Sequence, residues 1–168
     1  MAEALDPILP GRVEALTRQV LTEASLRGFG LATAESCTGG LLASLLTDVP
    51  GASHAFDRGF VVYTDAAKAE LLGVDRALLK THGAVSEPVA RAMAEGALRR
   101  SAAEIALSIT GWAEGAPGHP AGLVHFASAR RSHPTTHRVE CFGDIGRARL
   151  RIGCLEASLE MMLQRMAG

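Results

Sequence analysis

The sequence predicts an α/β domain in which a mixed β-sheet lies between layers of helices. In the first half, apolar strand-like runs alternate with helical segments, a pattern typical of parallel strands joined by helices. In the second half, strand-like runs follow one another across polar turns, which favours antiparallel pairing. The 168 residues, 48% of them hydrophobic, are enough for one core. We therefore expect a single domain over residues 1–168, with residues 1–10 as a loose N-terminal segment.

The first elements form a helix, strand, turn and helix. Apolar residues recur at helical spacing from Gly11 to Leu26, and Gly28 provides a stop. Residues 29–34 form a short apolar run that predicts a buried strand. The polar stretch 35–40 then predicts a tight turn, and the apolar run 41–46 predicts a helix.

The middle of the chain predicts one strand and three helices. Residues 60–63 are apolar or aromatic and predict a strand. A short helix over 65–72 ends at Gly73, and Asp75 caps another that reaches His82. Ser86 followed by Glu87 and Pro88 predicts a helix start, with the helix ending near Ser101.

The last third predicts three strands and a long helix. Two strands over residues 105–110 and 123–127 are separated by the Gly- and Pro-rich segment 111–122. A third strand covers 137–142. The final helix covers 144–166.

Composition excludes several classes of protein. Seventeen basic and eighteen acidic side chains leave a net charge of -1, so we expect no nucleic-acid partner. No apolar run approaches the roughly 18 residues of a membrane span, and the N-terminus carries acids where a secretory signal carries bases. Cys37, Cys141 and Cys154 form no C-x-x-C pair. We therefore expect a soluble, cytoplasmic protein with reduced thiols and no membrane partner.

The turn over residues 35–40 is the first candidate site. A strand that turns sharply into a helix exposes the turn side chains and directs unpaired backbone N–H groups at one point. Such a turn can present a nucleophile, Ser36 or Cys37, beside an oxyanion or anion site, and Gly39 and Gly40 allow close approach of a ligand. The motif is neither a P-loop nor G-x-S-x-G. The alternative is that Ser36 and Thr38 only cap a helix.

Tyr63 and Lys68 form the second candidate site. Tyr63 is the only tyrosine, and Lys68 and Lys80 are the only lysines among seventeen basic residues. A desolvated lysine amine can act as a base, whereas arginine cannot lose its proton. The alternative is that Lys68 is a solvated surface charge and Tyr63 part of the core.

Metal ligands are not evident in the sequence. His133 and His137 are separated by Pro134, and no H-E-x-x-H motif or carboxylate cluster occurs. We expect no catalytic metal and no cofactor. Arg147, Arg149 and Arg151 cannot all share one helix face, so at most two of them point into a site, one of them to bind phosphate.

Several motifs in the same order strongly resemble the C-terminal domain of CinA-type competence/damage-inducible proteins. Stand-alone members of that family are nicotinamide mononucleotide deamidases. The resemblance covers essentially the whole chain from the first helix to the last. It rests on residues 34–40 (AESCTGG), 57–63 (DRGFVVY), 67–68 (AK), 71–74 (LLGV) and 82–87 (HGAVSE).

The resemblance implies a cofactor-free serine–lysine amidohydrolase with a small nucleotide substrate. Ser36 is then the nucleophile, Lys68 its base and Tyr63 an assisting group. The resemblance also implies a serine near the site, a Thr-Gly threonine and an arginine matched with a local shift. The residues expected to bind substrate are Cys37, Thr38, Gly39, Gly40, Ser53, Thr110 and Arg147. We also expect a homo-oligomer.

Two stretches depart from the family pattern. Trp112 and Glu114 replace part of a glycine-rich loop, and Asp65 stands where an asparagine is usual. These residues either reshape a working pocket, repel a phosphate or abolish turnover. Two alternatives to the deamidase therefore remain: a catalytically silent binding module of the same fold, and an amidase for another small carboxamide.

Overall fold

Five strands form one mixed sheet in the computed structural model, which describes residues 9–168. The strands are β1 (Leu31–Glu35), β2 (Phe56–Val61), β3 (Ile105–Gly111), β4 (Leu123–Arg130) and β5 (Thr136–Cys141). Their order across the sheet is β2-β1-β3-β4-β5. β1 pairs in parallel with both β2 and β3, while β4 pairs antiparallel with β3 and β5. The predicted mixed sheet is confirmed.

Six helices cover the two faces of the sheet. They are α1 (Gly11–Arg27), α2 (Leu41–Thr47), α3 (Asp65–Leu72), α4 (Arg76–His82), α5 (Glu87–Arg99) and α6 (Arg147–Ala167). α1, α2 and α6 share one apolar core with the sheet, while α3, α4 and α5 share a second core on the other face. The arrangement is the predicted α/β sandwich.

The two faces of the sheet differ in the size of their side chains. On β3, the large residues Ile105, Leu107 and Ile109 point towards the α1 and α6 layer, because side chains alternate along a strand. Ala106 and Ser108 point to the opposite face, where the Ser108 hydroxyl donates to the carbonyl of Ala90 in α5 at 2.6 Å. Small residues on this face let α5 lie close to the sheet.

Three predicted elements have a boundary that is wrong by three or four residues, and one of them is β4, which ends at Arg130 rather than at residue 127. β2 covers Phe56–Val61 rather than 60–63, because it is an edge strand whose mostly exposed, polar residues lack an apolar pattern. α6 begins at Arg147 rather than residue 144. Gly143 and Gly146 adopt φ of 74° and 85°, which are not helical, so the helix starts only after them.

Of the N-terminal segment expected to be loose, residues 1–10, the structure describes residues 9 and 10. Residues 1–8 lie outside the described residues, while Leu9 packs against the core and α1 begins at Gly11. Within residues 9–168, no helix combines the length and hydrophobicity that crossing a membrane requires.

Candidate active site

A cavity of about 440 Å³ opens where β1, β2 and β3 end. Because these strands are parallel, the segments that follow them meet at one edge of the sheet. The cavity is lined by Ser36, Cys37, Tyr63, Thr64, Asp65, Lys68, Ala84, Val85, Thr110, Gly111, Trp112, Ala113, Glu114, Gly115, Ala116 and Arg147. The structure thus brings together six of the predicted site residues: Ser36, Cys37, Tyr63, Lys68, Thr110 and Arg147.

Ser36 and Lys68 face each other in this cavity. Lys68 Nζ lies 3.3 Å from Ser36 Oγ, and it also lies 3.1 Å and 3.3 Å from the carbonyl oxygens of Val62 and Tyr63. A neutral lysine amine has two N–H groups and one lone pair. If the two N–H groups donate to the carbonyls, the lone pair remains to accept the Ser36 proton.

Lys68 is buried, with only 1% of its surface exposed. This burial lowers the pKa of Lys68, while the charges of Asp65 and Cys37 oppose the shift. The alternative interpretation, a solvated Lys68 and a core Tyr63, is therefore wrong in both parts, because Tyr63 is 67% exposed. The backbone carbonyl of Tyr63 contacts Lys68, whereas its hydroxyl makes no hydrogen bond to Lys68 or Ser36.

The buried carboxylate of Glu35 holds the turn that carries Ser36. Glu35 accepts hydrogen bonds from the Thr38 hydroxyl at 2.6 Å and from the amides of Leu42 and Ala43 at 3.1 Å and 2.7 Å. A carboxylate beside the first turn of a helix satisfies amides that have no partner within the helix. Glu35 thus joins β1 to the start of α2 with Ser36 between them.

Thr38, Gly39 and Gly40 lie outside the cavity lining. The Thr38 hydroxyl donates to Glu35, and α2 begins after Gly40 with no side-chain cap at that position, so the alternative in which Ser36 and Thr38 only cap a helix is wrong. Gly39 and Gly40 have φ of 63° and 94°, which side chains rarely adopt. A Cβ on Gly40 would also lie 3.1 Å from the Val61 side chain. These glycines shape the turn and do not contact the space where a ligand would lie.

The backbone amides expected to form an oxyanion site at the start of α2 already have acceptors. The amides of Leu42 and Ala43 already donate to Glu35, and the amide of Ser36 donates to the Ile109 carbonyl at 3.0 Å. Cys37 follows the nucleophile and lines the cavity, and within residues 9–168 its amide donates to no other residue. The amide of Cys37 is therefore the better placed donor.

The Cys37 thiol belongs to the wall behind the site. The neighbouring Cys37 thiol and burial raise the pKa of Cys154 of α6. Arg151 also holds the turn from α6, since its Nε donates to the Cys37 carbonyl at 3.1 Å. Of the three predicted arginines, Arg147 reaches the cavity and Arg151 supports it from behind, while Arg149 is exposed.

Arg147 and Thr110 both line the cavity. A guanidinium nitrogen of Arg147 lies 3.0 Å from a carboxylate oxygen of Glu114, and this hydrogen bond raises the pKa of Arg147. The Thr110 hydroxyl donates to the Ala84 carbonyl at 2.8 Å and so fixes the segment before α5. Arg147 is the cation available for an anionic group of a ligand.

Ser53 is not part of this cavity. It is exposed and lines a separate cavity with Leu46 and Phe56. The expectation that Ser53 lies near the other site residues is therefore not met in this chain. Among the described residues, no three His, Cys, Asp or Glu side chains lie close enough together to hold a metal ion.

Sequence reasoning missed the structural role of Glu35 and treated Glu114 only as a departure. An acid at the end of a strand, seven residues before an early helical amide, was the available signal for Glu35. No local signal pairs Glu114 with Arg147, since 33 residues separate them.

Together, the fold and this cavity define a single-domain α/β protein with a serine–lysine pair at the ends of its parallel strands. The sequence pattern of the CinA C-terminal domain family matches residues 13–166. This chain belongs to the CinA C-terminal domain family.

Solved structures and curated relatives agree with this assignment. A competence/damage-inducible protein from Agrobacterium tumefaciens is 43% identical, with 96% of this chain and 99% of that chain covered and a TM-score of 0.91. A competence damage-inducible protein from Klebsiella pneumoniae is 34% identical, with coverage of 92% and 97% and a TM-score of 0.87.

The curated relatives are longer than this chain. A competence-damage inducible protein from Caldicellulosiruptor bescii is 43% identical over 92% of this chain and 37% of its own length. A CinA-like protein from Akkermansia muciniphila is 50% identical over 72% of this chain and 30% of its own length. The chain thus spans about a third of the length of these two relatives.

Proposed function

We propose that this chain is a serine–lysine amidohydrolase that converts nicotinamide mononucleotide and water to nicotinic acid mononucleotide and ammonia, in salvage of pyridine nucleotides. The observation that carries the proposal is the buried Lys68 amine, 3.3 Å from Ser36 Oγ, with two carbonyl acceptors for its N–H groups. Burial lowers the pKa of this amine, and a buried amine beside a hydroxyl can act as a general base beside a nucleophile.

Acylation begins when Ser36 Oγ attacks the carboxamide carbon and its proton passes to Lys68 Nζ. The carbonyl oxygen becomes an oxyanion, for which the Cys37 amide is the candidate donor. Lys68 then gives the proton to the departing nitrogen, which leaves as ammonia. Ser36 is left as an ester of the pyridine carboxylate.

Deacylation uses the same two residues in the reverse order. Lys68, neutral again, takes a proton from a water molecule as that water attacks the ester carbon. The tetrahedral intermediate collapses, the proton returns to Ser36 Oγ and the carboxylic acid leaves. Arg147 is the group that would hold the nucleotide phosphate, and a relay role for Tyr63 stays a prediction.

A catalytically silent binding module is the second candidate. Trp112 lines the cavity and stacks on His119 with ring centroids 4.4 Å apart, and Glu114 lies on the arginine that a phosphate would need. An amidase acting on a different small carboxamide would keep Ser36 and Lys68 and differ only in these lining residues.

Ser36→Ala and Lys68→Arg variants test the proposed chemistry. Each is expected to abolish nearly all ammonia release, since alanine has no nucleophile and arginine cannot accept the proton. The double variant should be scarcely worse than either single variant, because the residues act as one unit. Ammonia release is measured with purified protein on nicotinamide mononucleotide and a panel of simpler amides.

Lys80→Arg is the matched control, since Lys80 is the only other lysine and lies exposed on α4. It should retain full activity, and melting temperatures should show that all variants are folded. Full activity in Lys68→Arg would eliminate Lys68 as the base. Nucleotide binding without ammonia release from any amide would favour the silent module.

A further inference from the structure

Of the two carboxylates that line the cavity, Glu114 is the one that pairs with Arg147. Their side chains form an ion pair at 3.0 Å, with Arg147 41% and Glu114 71% exposed. The other carboxylate of the lining, Asp65, raises the pKa of Lys68 and forms no ion pair with Arg147. The two acids therefore act on different parts of the cavity.

The segment that carries Glu114 is an ordered extension of the β3–β4 hairpin. Trp112 donates its amide to Leu123 at 2.9 Å and accepts from the Gly122 amide at 2.8 Å. Further out, Ala116 and His119 exchange backbone hydrogen bonds of 3.0 Å and 2.8 Å. The Trp112–His119 stack closes the same segment. These contacts keep Glu114 opposite the start of α6.

We propose that Glu114 is a specificity-determining residue that lowers the affinity of this cavity for phosphorylated ligands relative to unphosphorylated ones. A phosphate can bind Arg147 only by displacing the Glu114 carboxylate or by sharing the guanidinium with it. A ligand that has the same pyridine and ribose but no phosphate can bind without displacing Glu114 from Arg147. The inference rests on the proposed function, in that Arg147 is taken as the group that binds the substrate phosphate.

The size of the effect follows from the exposure of the pair. An exposed ion pair is weak, and the displaced carboxylate is readily solvated, so Glu114 reduces phosphate binding without preventing it. Removing its charge is expected to tighten binding of a phosphorylated ligand by about fivefold. Binding of an unphosphorylated ligand should change by less than about a factor of two on the same grounds.

The test compares two ligands in a protein that cannot turn them over. In the Ser36→Ala background, calorimetric titration gives the Kd of nicotinamide mononucleotide and of nicotinamide riboside with and without Glu114→Gln. The expected result is a gain of about fivefold for the mononucleotide alone. Adding Arg147→Gln should abolish that gain, because no cation is then released. Glu23→Gln removes the same net charge from an exposed ion pair on α1 and should change neither Kd.

An equal change for both ligands, no change for the mononucleotide or binding of neither ligand to any variant would each overturn the inference. The proposed function fails differently, through the absence of ammonia release by the unmodified protein. A phosphate-selective gain without any turnover would support the role of Glu114 and favour the silent module. Turnover of the mononucleotide without a phosphate-selective gain would overturn only the role of Glu114.

Discussion

At the scale of single residues, the charge state of Lys68 decides whether the site has a base. Its amine is buried and its pKa is lowered from the ordinary 10.5, primarily because burial disfavours the charged form. The nearby carboxylate of Asp65 works in the opposite direction, because it stabilises the ammonium. The balance between burial on one side and the charges of Asp65 and Cys37 on the other sets the fraction of neutral amine at a given pH.

The Asp65→Asn variant tests this balance through the pH dependence of kcat/KM for ammonia release. Since only the neutral amine accepts a proton, kcat/KM should rise as pH rises through the Lys68 pKa and level off above it. The midpoint of this rise should lie below the ordinary lysine pKa of 10.5. Asp65→Asn removes a charge that raises the pKa, so the acid limb should move to lower pH.

The direction of that movement is the decisive observation. A shift of the acid limb to higher pH in Asp65→Asn, or no shift, would mean that the limb reports another group. Glu70→Gln, which removes an exposed charge from the same helix, is the matched control and should leave the limb in place.

Glu35 is the second residue whose removal has a specific expected effect. Glu35→Gln keeps the shape of the side chain but turns one acceptor into a donor, which faces a donor among Thr38, Leu42 and Ala43. An unsatisfied buried group should lower the free energy of unfolding by about 1–3 kcal/mol. Urea denaturation measures this change.

Kinetic measurements on Glu35→Gln distinguish a role of Glu35 in positioning Ser36 from a role in stabilising the fold alone. If Glu35 only stabilises the fold, kcat at a temperature where Glu35→Gln is fully folded will equal that of the unmodified protein. We expect kcat to fall while KM stays close to its original value, because the misplaced group is Ser36. Thr38→Val removes a single donor to Glu35 and should have a smaller effect on both quantities.

At the scale of elements, the position of Lys68 depends on how closely α5 approaches α3. Gly96 of α5 lies against the last turn of α3, and a Cβ there would overlap the Leu72 carbonyl. Arg100, at the end of α5, donates to the same carbonyl at 2.7 Å. Since the obstacle is backbone, it cannot yield by a change of rotamer.

Gly96→Ala should therefore destabilise the protein, although alanine is normally the better helix former by about 1 kcal/mol. Overpacking against α3 should cost about 1–3 kcal/mol, measured as a decrease in the free energy of unfolding in urea. Gly11→Ala, at the exposed start of α1, meets no atom within 4 Å and should be neutral or slightly stabilising. A stable Gly96→Ala protein would show that α5 moves without cost.

The sequence predicted most helices and strands because their ends are set by neighbouring residues. Gly28 and Gly73 end helices in the left-handed conformation, and the Asp75 side chain caps α4, as expected from residue type. β2 was misplaced because an exposed edge strand needs no apolar alternation. The burial of Lys68 was equally invisible, since it results from packing with segments that are distant in sequence.

At the scale of the whole molecule, six of the residues predicted from the sequence line one cavity, while four others lie outside it. The resemblance selected Ser36 and Lys68, and the parallel strands bring them together across 32 positions. It also selected Ser53, which the fold places in another cavity. The spacing of residues along the chain does not indicate which loops meet at the edge of a sheet. The ion pair between Glu114 and Arg147 could therefore not be predicted. The expected homo-oligomer stays a prediction.

The packing of the first helix on the last has a consequence for how this chain is made. Arg12 of α1 donates to Glu160 of α6 at 2.7 Å, 148 positions further along the chain. During synthesis, the apolar side of α1 is made long before α6 exists, a delay on the order of ten seconds at about 5–20 residues per second. Until then Val13, Val20 and Leu21 lack the α6 side chains with which they share one core in the finished protein. The burial of the apolar side of α1 is therefore completed only after α6 has been synthesised.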